Sequence, residues 1–366
     1  MHDELSEAPP RTGRIVGLAV GGGFVVGLAV AAVYWRQAIA ALVARAKPYE
    51  RKLATVHHPA LIINRWSGDG KAEQCGLADE ARRAGVTVIM LERGDDLVQL
   101  AHDAISAGAD AIGMAGGDGS LGLVAGVAVE RGVPFFCVPV GTRNHFALDL
   151  GLDRDNPLTA LAALRDGEEV LIDYAAANGR TFLNNVSFGV YAQAVHQEQY
   201  RGEKLATLTD TVANAARDVD AQAALRFVTP DGRKHDRAPL LIVSNNRYTY
   251  SGYPDYGRRE RMDGGRLGLG AITSLPEGDL KTMRLDQIRS LQEWDATSYR
   301  IESDEKILAG LDGEALEFDS PLDLTIRPQG LRVLVPEGTQ PGYVPAGEAV
   351  AARLLDLAET TGVGDA

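Results

Sequence analysis

The chain has 366 residues, 45% hydrophobic and 24% charged, with 50 Asp and Glu against 37 Lys and Arg for a formal net charge of −13. That length can bury two modest cores, and so acidic a balance excludes nucleic acid as a main partner, because phosphate backbones demand a basic surface. Two cysteines, Cys75 and Cys137, cannot form a disulfide framework and lack zinc-type Cys/His spacing, so both read as packing residues in a reducing compartment.

Residues 1–14 form a short tail. Ile15 to Trp35 is an uncharged run of twenty-one residues between Arg14 and Arg36. At about 1.5 Å per residue it is long enough to span a hydrocarbon core, so residues 15–35 are expected as one transmembrane helix. The alternative is a cleaved signal peptide, with Ala29 and Ala31 as a small-x-small site, although the apolar run is long for one. Arg36, Arg45, Lys47, Arg51 and Lys52 follow the span, while Arg11 and Arg14 precede it among acidic residues. The positive-inside rule then places the larger C-terminal part in the cytoplasm of a single-pass cell-membrane protein. Gly17/Gly21 and Gly23/Gly27 have the spacing of helix-pairing motifs, so a homodimer is conceivable, though such glycines are often only tolerated. Residues 36–57 read as a juxtamembrane helix and linker.

Regular alternation begins after this linker. Leu61–Ile63 is a strand, Lys71–Ala84 a helix with Leu77 and Ala81 on one face, Val86–Leu91 a strand, and Asp96–Ala107 a helix. Ala109–Ala115 is a buried strand, followed by Leu121–Arg131 with Leu121, Val124, Ala125, Val127 and Ala128 at helical spacing. Val133–Val140 is another buried strand. Such alternation gives right-handed βαβ units and a parallel sheet, so residues 58–167 are expected to form a Rossmann-like domain.

Three polar turns follow strands of that sheet, and ligands of open α/β sheets bind at this carboxyl edge. The first holds Asn64, Ser67 and Gly68, and could equally be a hydrophilic surface loop. The second is Gly116, Gly117, Asp118, Gly119 and Ser120. Unpaired N–H groups at a helix start favour an anion there, and missing Cβ atoms let a phosphate approach closely. Asp118 would repel a phosphate unless it organises Mg²⁺ or takes a proton from an attacking hydroxyl; otherwise it is an ordinary helix N-cap. The third turn is Gly141, Thr142, Arg143, Asn144 and His145.

Beyond the helix Pro157–Arg165 the pattern changes. Strand-like runs lie at Glu169–Tyr174, Thr181–Phe188, Leu225–Val228, Leu240–Ser244, Leu267–Thr273 and Ala296–Ile301, with turn signals at Asn178-Gly179 and Asp231-Gly232. Only Tyr200–Arg217 reads as helical. Residues 168–336 are therefore expected as an antiparallel β-rich domain, a two-layer sandwich. Residues 337–366 comprise a Pro/Gly linker and a short amphipathic helix at Gly347–Ala358. Arg247, Arg258, Arg259, Arg261 and Arg266 crowd one stretch with Tyr248, Tyr250, Tyr253 and Tyr256. A solvated loop is the default reading, and a lipid-headgroup contact or phosphate clamp the alternative.

Four motifs in order, Asn64-Arg-Trp-Ser67-Gly68, Gly116 to Ser120, Pro139-Val-Gly141-Thr142-Arg-Asn144 and Asp312-Gly313-Glu314, make residues 58–336 resemble the diacylglycerol-kinase-like lipid kinases. That family includes sphingosine kinases and shares its fold with NAD kinases and phosphofructokinases. The resemblance implies that Asn64, Ser67, Gly68, Gly116, Gly117, Gly119, Ser120, Gly141, Thr142 and Asn144 hold ATP. It also implies that Asp118 serves catalysis or Mg²⁺, that Glu314 is a catalytic-site carboxylate rather than a solvated turn residue, and that the C-terminal helix packs on the first domain. ATP, Mg²⁺ and a membrane lipid such as diacylglycerol are the implied cofactors and substrate.

Two positions depart from the pattern. His145 stands where many bacterial relatives have Asp, and is a proton acceptor or a plain turn residue. Gly264 stands where some relatives have the second Asp of a structural Mg²⁺ site, which puts that metal in doubt. The alternatives to a lipid kinase are an NAD kinase-like enzyme and a catalytically weak nucleotide- or lipid-binding regulator.

Overall fold

The computed structural model describes residues 49–189, 225–238, 240–249, 258–272 and 291–342. The expected membrane span, the helices at Tyr200–Arg217 and Gly347–Ala358, and Tyr250, Tyr253 and Tyr256 lie outside these residues. Among the described residues no helix is long and apolar enough to cross a membrane.

Strands β1 (Arg51–Leu53), β2 (Pro59–Ile63), β3 (Thr87–Met90), β4 (Ala111–Gly116) and β5 (Phe135–Pro139) alternate with helices α1 (Lys71–Gln74), α2 (Leu77–Arg83), α3 (Leu97–Ser106) and α4 (Asp118–Arg131). β3, β2, β4 and β5 are parallel neighbours. Successive side chains on these strands enter opposite cores, as the two-residue repeat requires. Ala60, Ile62, Ile112 and Met114 pack with Ala101, Leu121 and Val124 on one side. Leu61, Ile63, Phe136 and Val138 pack with Leu77 and Ala81 on the other. Each fully buried large apolar side chain contributes roughly 1.5–3 kcal/mol. Asp96 caps α3 by accepting from the N–H groups of Val98 and Gln99.

The helix expected over Lys71–Ala84 is broken, because Gly76 adopts a left-handed conformation (φ 64°) between α1 and α2. Pro157–Leu164 is a 3₁₀ helix rather than an α-helix. Residues 51–53, expected in a linker, form β1 and pair with β6 (Glu168–Ala177).

The remaining strands are β7 (Arg180–Phe182), β8 (Asn185–Gly189), β9 (Arg226–Val228), β10 (Lys234–His235), β11 (Leu240–Asn245), β12 (Tyr248–Thr249), β13 (Arg258–Arg259) and β14 (Leu267–Ile272). β15 (Leu291–Ala296), β16 (Ser298–Glu302), β17 (Ile307–Leu311), β18 (Glu314–Phe318) and β19 (Leu322–Val335) complete the order. β19 pairs in parallel with β5 at Val333 and Leu334, and antiparallel with β6 and β16. One mixed sheet therefore runs through both expected domains, a continuity that the separate parallel and antiparallel blocks of the sequence did not anticipate. A second, antiparallel sheet has the order β15-β14-β11-β8-β17-β18. The β-rich part of the mixed sheet and this second sheet enclose a core of Phe182, Phe188, Val243, Leu269, Ile301 and Leu324.

The run Ala296–Ile301, expected as one strand, is two strands that meet at Thr297 and belong to different sheets. The run Thr181–Phe188 is likewise interrupted, because the N–H groups of Leu183, Asn184 and Asn185 turn inward to the Asp312 carboxylate.

Candidate active site

The three polar turns meet at the carboxyl edge of the parallel strands. The Asn64 N–H donates to Ala115 O (2.9 Å), and the Gly141 N–H donates to Gly116 O (3.2 Å). Asn144 Nδ2 donates to the same Gly116 oxygen at 2.8 Å. Glycine is needed where these turns touch. A Cβ on Gly68, which has φ +57°, would run into Val140 O, and one on Gly141 would lie 2.6 Å from Gly117 Cα. Asn64 shapes its own turn by accepting the Trp66 N–H on Oδ1 (3.1 Å). Ser67 opens a single 3₁₀ turn through Gly68. Ser120 folds back over Gly116, and Thr142 is exposed at the rim.

Asp118 begins α4, and its carboxylate reaches across to the third turn. Oδ2 accepts the His145 N–H and Oδ1 the Phe146 N–H, both at 3.1 Å. It thereby caps the neighbouring helix α5 (His145–Asp149), whose own N-cap Asn144 makes no side-chain capping bond. A carboxylate offers about four acceptor positions, so about two remain on Asp118 for a metal or a proton. The His145 ring has no hydrogen-bond partner among the described residues.

The site can take a polyphosphate. Open space lies where a Cβ of Gly117 would project, in front of the first turn of α4. The leading N–H groups of such a helix have no partner within it. Asn144 is 1% exposed, and its Oδ1 is buried with no partner, 3.1 Å from the Cβ position of Gly141.

Glu314 arrives from the β17–β18 hairpin. A Cβ on Gly119 would collide with its carboxylate, so glycine at 119 is what lets Glu314 lie on the turn. Two residues earlier, Asp312 is 7% exposed and accepts three backbone N–H groups, from Leu183 (2.7 Å), Asn184 (2.8 Å) and Asn185 (3.1 Å). Burial pushes its carboxyl up to about 7, and the charge of Asp118 acts in the same direction.

Gly119, Gly122 and Gly126 share one face of α4. They face Glu314, Asp312 and Thr181, with Cβ positions 3.0 Å from Asp312 Oδ2 at Gly122 and 3.2 Å from Thr181 Oγ1 at Gly126. This face is what brings the hairpin to the turn. The sequence holds its signal, glycines spaced three and four apart on a helix, but not which distant residues meet that face. Asp312 stands out in the sequence only as part of the Asp-Gly-Glu motif.

Within the arginine-rich stretch, Arg258 and Arg259 turn inward rather than to solvent. Arg259 is fully buried and donates to Asp149 Oδ2 (2.6 Å), Asn184 Oδ1 (2.9 Å), Asn245 O (3.3 Å) and Leu183 O. Arg258 Nε donates to the other Asp149 oxygen at 2.9 Å. These residues tie the end of α5 to the β-rich part. Sequence spacing could not reveal the partner, because Asp149 lies about 110 residues away. Arg247 and Arg266 pair at the surface with Glu293 and Asp295.

The residues around Gly264 do not suit a structural metal. Arg261 occupies both Asp263 oxygens at 2.6 Å and stacks over Tyr49 at 4.7 Å. Asp173 accepts the Gly265 N–H (2.6 Å) and the Gln329 N–H (2.7 Å). Among the described residues no group of three or more His, Cys, Asp and Glu side chains is placed to hold a metal. Beside the glycine turn Asp118 keeps acceptor positions open that would serve a phosphate-bound Mg²⁺.

The diacylglycerol kinase catalytic domain profile matches residues 58–177. A Pseudomonas fluorescens protein named "Probable lipid kinase YegS-like" is 28% identical over 306 residues, covering 79% of this chain and 96% of that protein. A diacylglycerol kinase of Mycobacterium tuberculosis is 32% identical over 116 residues, covering 31% of this chain and 38% of its own length. Among solved structures, a Bacillus anthracis str. Sterne protein named for diacylglycerol kinase superposes with a TM-score of 0.61 at 20% identity, covering 78% of this chain and 98% of that one. Residues 58–177 thus match the diacylglycerol kinase catalytic domain, and over most of its length the chain is similar to proteins named as lipid kinases.

Proposed function

We propose that the protein transfers the γ-phosphoryl group of ATP to a hydroxyl of a membrane lipid, with diacylglycerol as the first candidate. The observation that carries this reading is the placement of the Glu314 carboxylate on Gly119, beside a glycine turn with open space at Gly117. Gly117, whose Cβ position faces open space, lets the backbone approach a triphosphate, and the N–H groups at the start of α4 face its charge. Asp118 and the phosphates would hold Mg²⁺, which would supply charge neutralisation there. Glu314 Oε1 accepts the proton of the attacking hydroxyl, while Asp118 keeps the second and third turns in register. Residues 15–35 anchor the chain as a single-pass membrane protein with its kinase domain cytoplasmic, so that enzyme and lipid meet in two dimensions.

Incubating the full chain with γ-labelled ATP and extracted membrane lipids tests the substrate class. Label should appear in a lipid that chromatography and mass spectrometry identify as a phosphorylated alcohol. Label only on a water-soluble acceptor such as NAD, or none at all, would overturn the reading.

A further inference from the structure

Glu314 stands at the tip of a hairpin with its side chain 40% exposed, a setting in which a lone carboxylate would sample several rotamers. Among the described residues one charged group reaches it. Arg180 Nη2 donates to Glu314 Oε2 at 3.2 Å, leaving Oε1 as the oxygen nearest the position that a Gly119 Cβ would take.

Both partners stand on fixed turns. The Asn178-Gly179 turn that delivers Arg180 has positive φ at both residues (46° and 86°). It is fastened to β19 by Asn178 N–H to Asp323 O (2.9 Å), Asp323 N–H to Asn178 Oδ1 (2.9 Å) and Asn178 Nδ2 to Pro321 O (3.2 Å). Asp312, two residues before Glu314, is held by three N–H groups of the segment that follows β7. Thr181, next to Arg180, packs on Gly126 of α4. The same helix face therefore sets the depth of both the arginine and the glutamate. An ion pair this exposed adds little to stability, so its consequence is orientation.

We propose that Arg180 is a positioning residue for the phosphoryl transfer: it holds Glu314 Oε2 so that Oε1 faces the glycine turn and the acceptor hydroxyl. This rests on the lipid kinase reading of the site. Arg180 engages the carboxylate and leaves the nucleotide turns alone, so its loss should lower turnover and not ATP binding.

The test compares wild type, Arg180→Ala, Arg180→Lys, Glu314→Gln and the Arg180→Ala/Glu314→Gln double variant of the full chain. kcat and KM are measured with diacylglycerol in mixed micelles, Mg·ATP affinity by calorimetry, and thermal midpoint by fluorescence. Arg180→Ala should lower kcat about ten- to a hundredfold, the scale of a slightly misplaced group. Mg·ATP affinity and the thermal midpoint should stay at wild-type values, and Lys should recover part of kcat. In the Glu314→Gln background, removing Arg180 should cost nothing further, because the two groups act as a unit. An unchanged kcat in Arg180→Ala, an equal fall in ATP affinity, or full additivity in the double variant would overturn the positioning role while leaving the kinase reading intact. Wild type without lipid phosphorylation would overturn both.

Discussion

Gly119 is the residue on which the site closes. It lies in the first turn of α4 without positive φ, so alanine there is conformationally acceptable and would favour the helix by up to about 1 kcal/mol. Its methyl group, however, would take the place of the Glu314 carboxylate. Gly119→Ala should therefore leave the thermal midpoint unchanged or slightly raised while lowering kcat at least tenfold; wild-type turnover would contradict the contact. Asp312 makes a different prediction. Its folded-state pKa is raised from 3.8 to about 7, chiefly by burial, so the folded protein holds a proton that the unfolded chain releases. The stabilisation from this proton is full below about pH 4 and is lost as pH rises through about 7, on the order of a few kcal/mol. Asp312→Asn should flatten the fall in unfolding free energy between about pH 5 and 7.5, whatever it does to the absolute value. A slope equal to that of wild type in denaturant titrations would contradict this.

Helix α4 does the work of joining at the next scale. Its apolar residues Leu121, Val124, Ala125 and Ala128 are fully buried, as their helical spacing predicts, while its glycine face admits the hairpin from the β-rich part. The first property is local and was legible. The second depends on which strands arrive, and only the fold supplies that. The same limit explains the arginines: their crowding was visible, but Asp149 as the buried partner of Arg258 and Arg259 is a long-range fact. Helix α5 is thus held at its start by Asp118 and at its end by Arg258 and Arg259. The Gly264 segment carries its own prediction. Arg261 satisfies Asp263, and two backbone N–H groups satisfy Asp173, so no divalent ion is needed there. In the absence of nucleotide, EDTA should leave the thermal midpoint where it is. A drop with EDTA that Asp263→Asn abolishes would contradict it.

At the scale of the molecule, the described residues form one continuous scaffold, because β19 pairs with β5 of the parallel part and with β6 and β16 of the antiparallel part. The alternation of strands and helices through Pro139, the three polar turns and the β-rich character beyond residue 168 were readable from periodicity and turn chemistry. The sharing of one sheet was not, because strand pairing between residues 135 and 333 leaves no local trace. The Glu314 hairpin belongs to the second sheet, and it is tied to the segment after β7 through Asp312, which accepts the N–H groups of Leu183, Asn184 and Asn185. Phosphoryl transfer from γ-labelled ATP to diacylglycerol in mixed micelles, measured for wild type and Glu314→Gln alongside Mg·ATP affinity, tests this arrangement most directly. Wild type should transfer label, and Glu314→Gln should bind Mg·ATP as wild type does yet transfer at least a hundredfold more slowly. Equal transfer rates in the two proteins, or folded wild type that fails to bind Mg·ATP, would contradict the account.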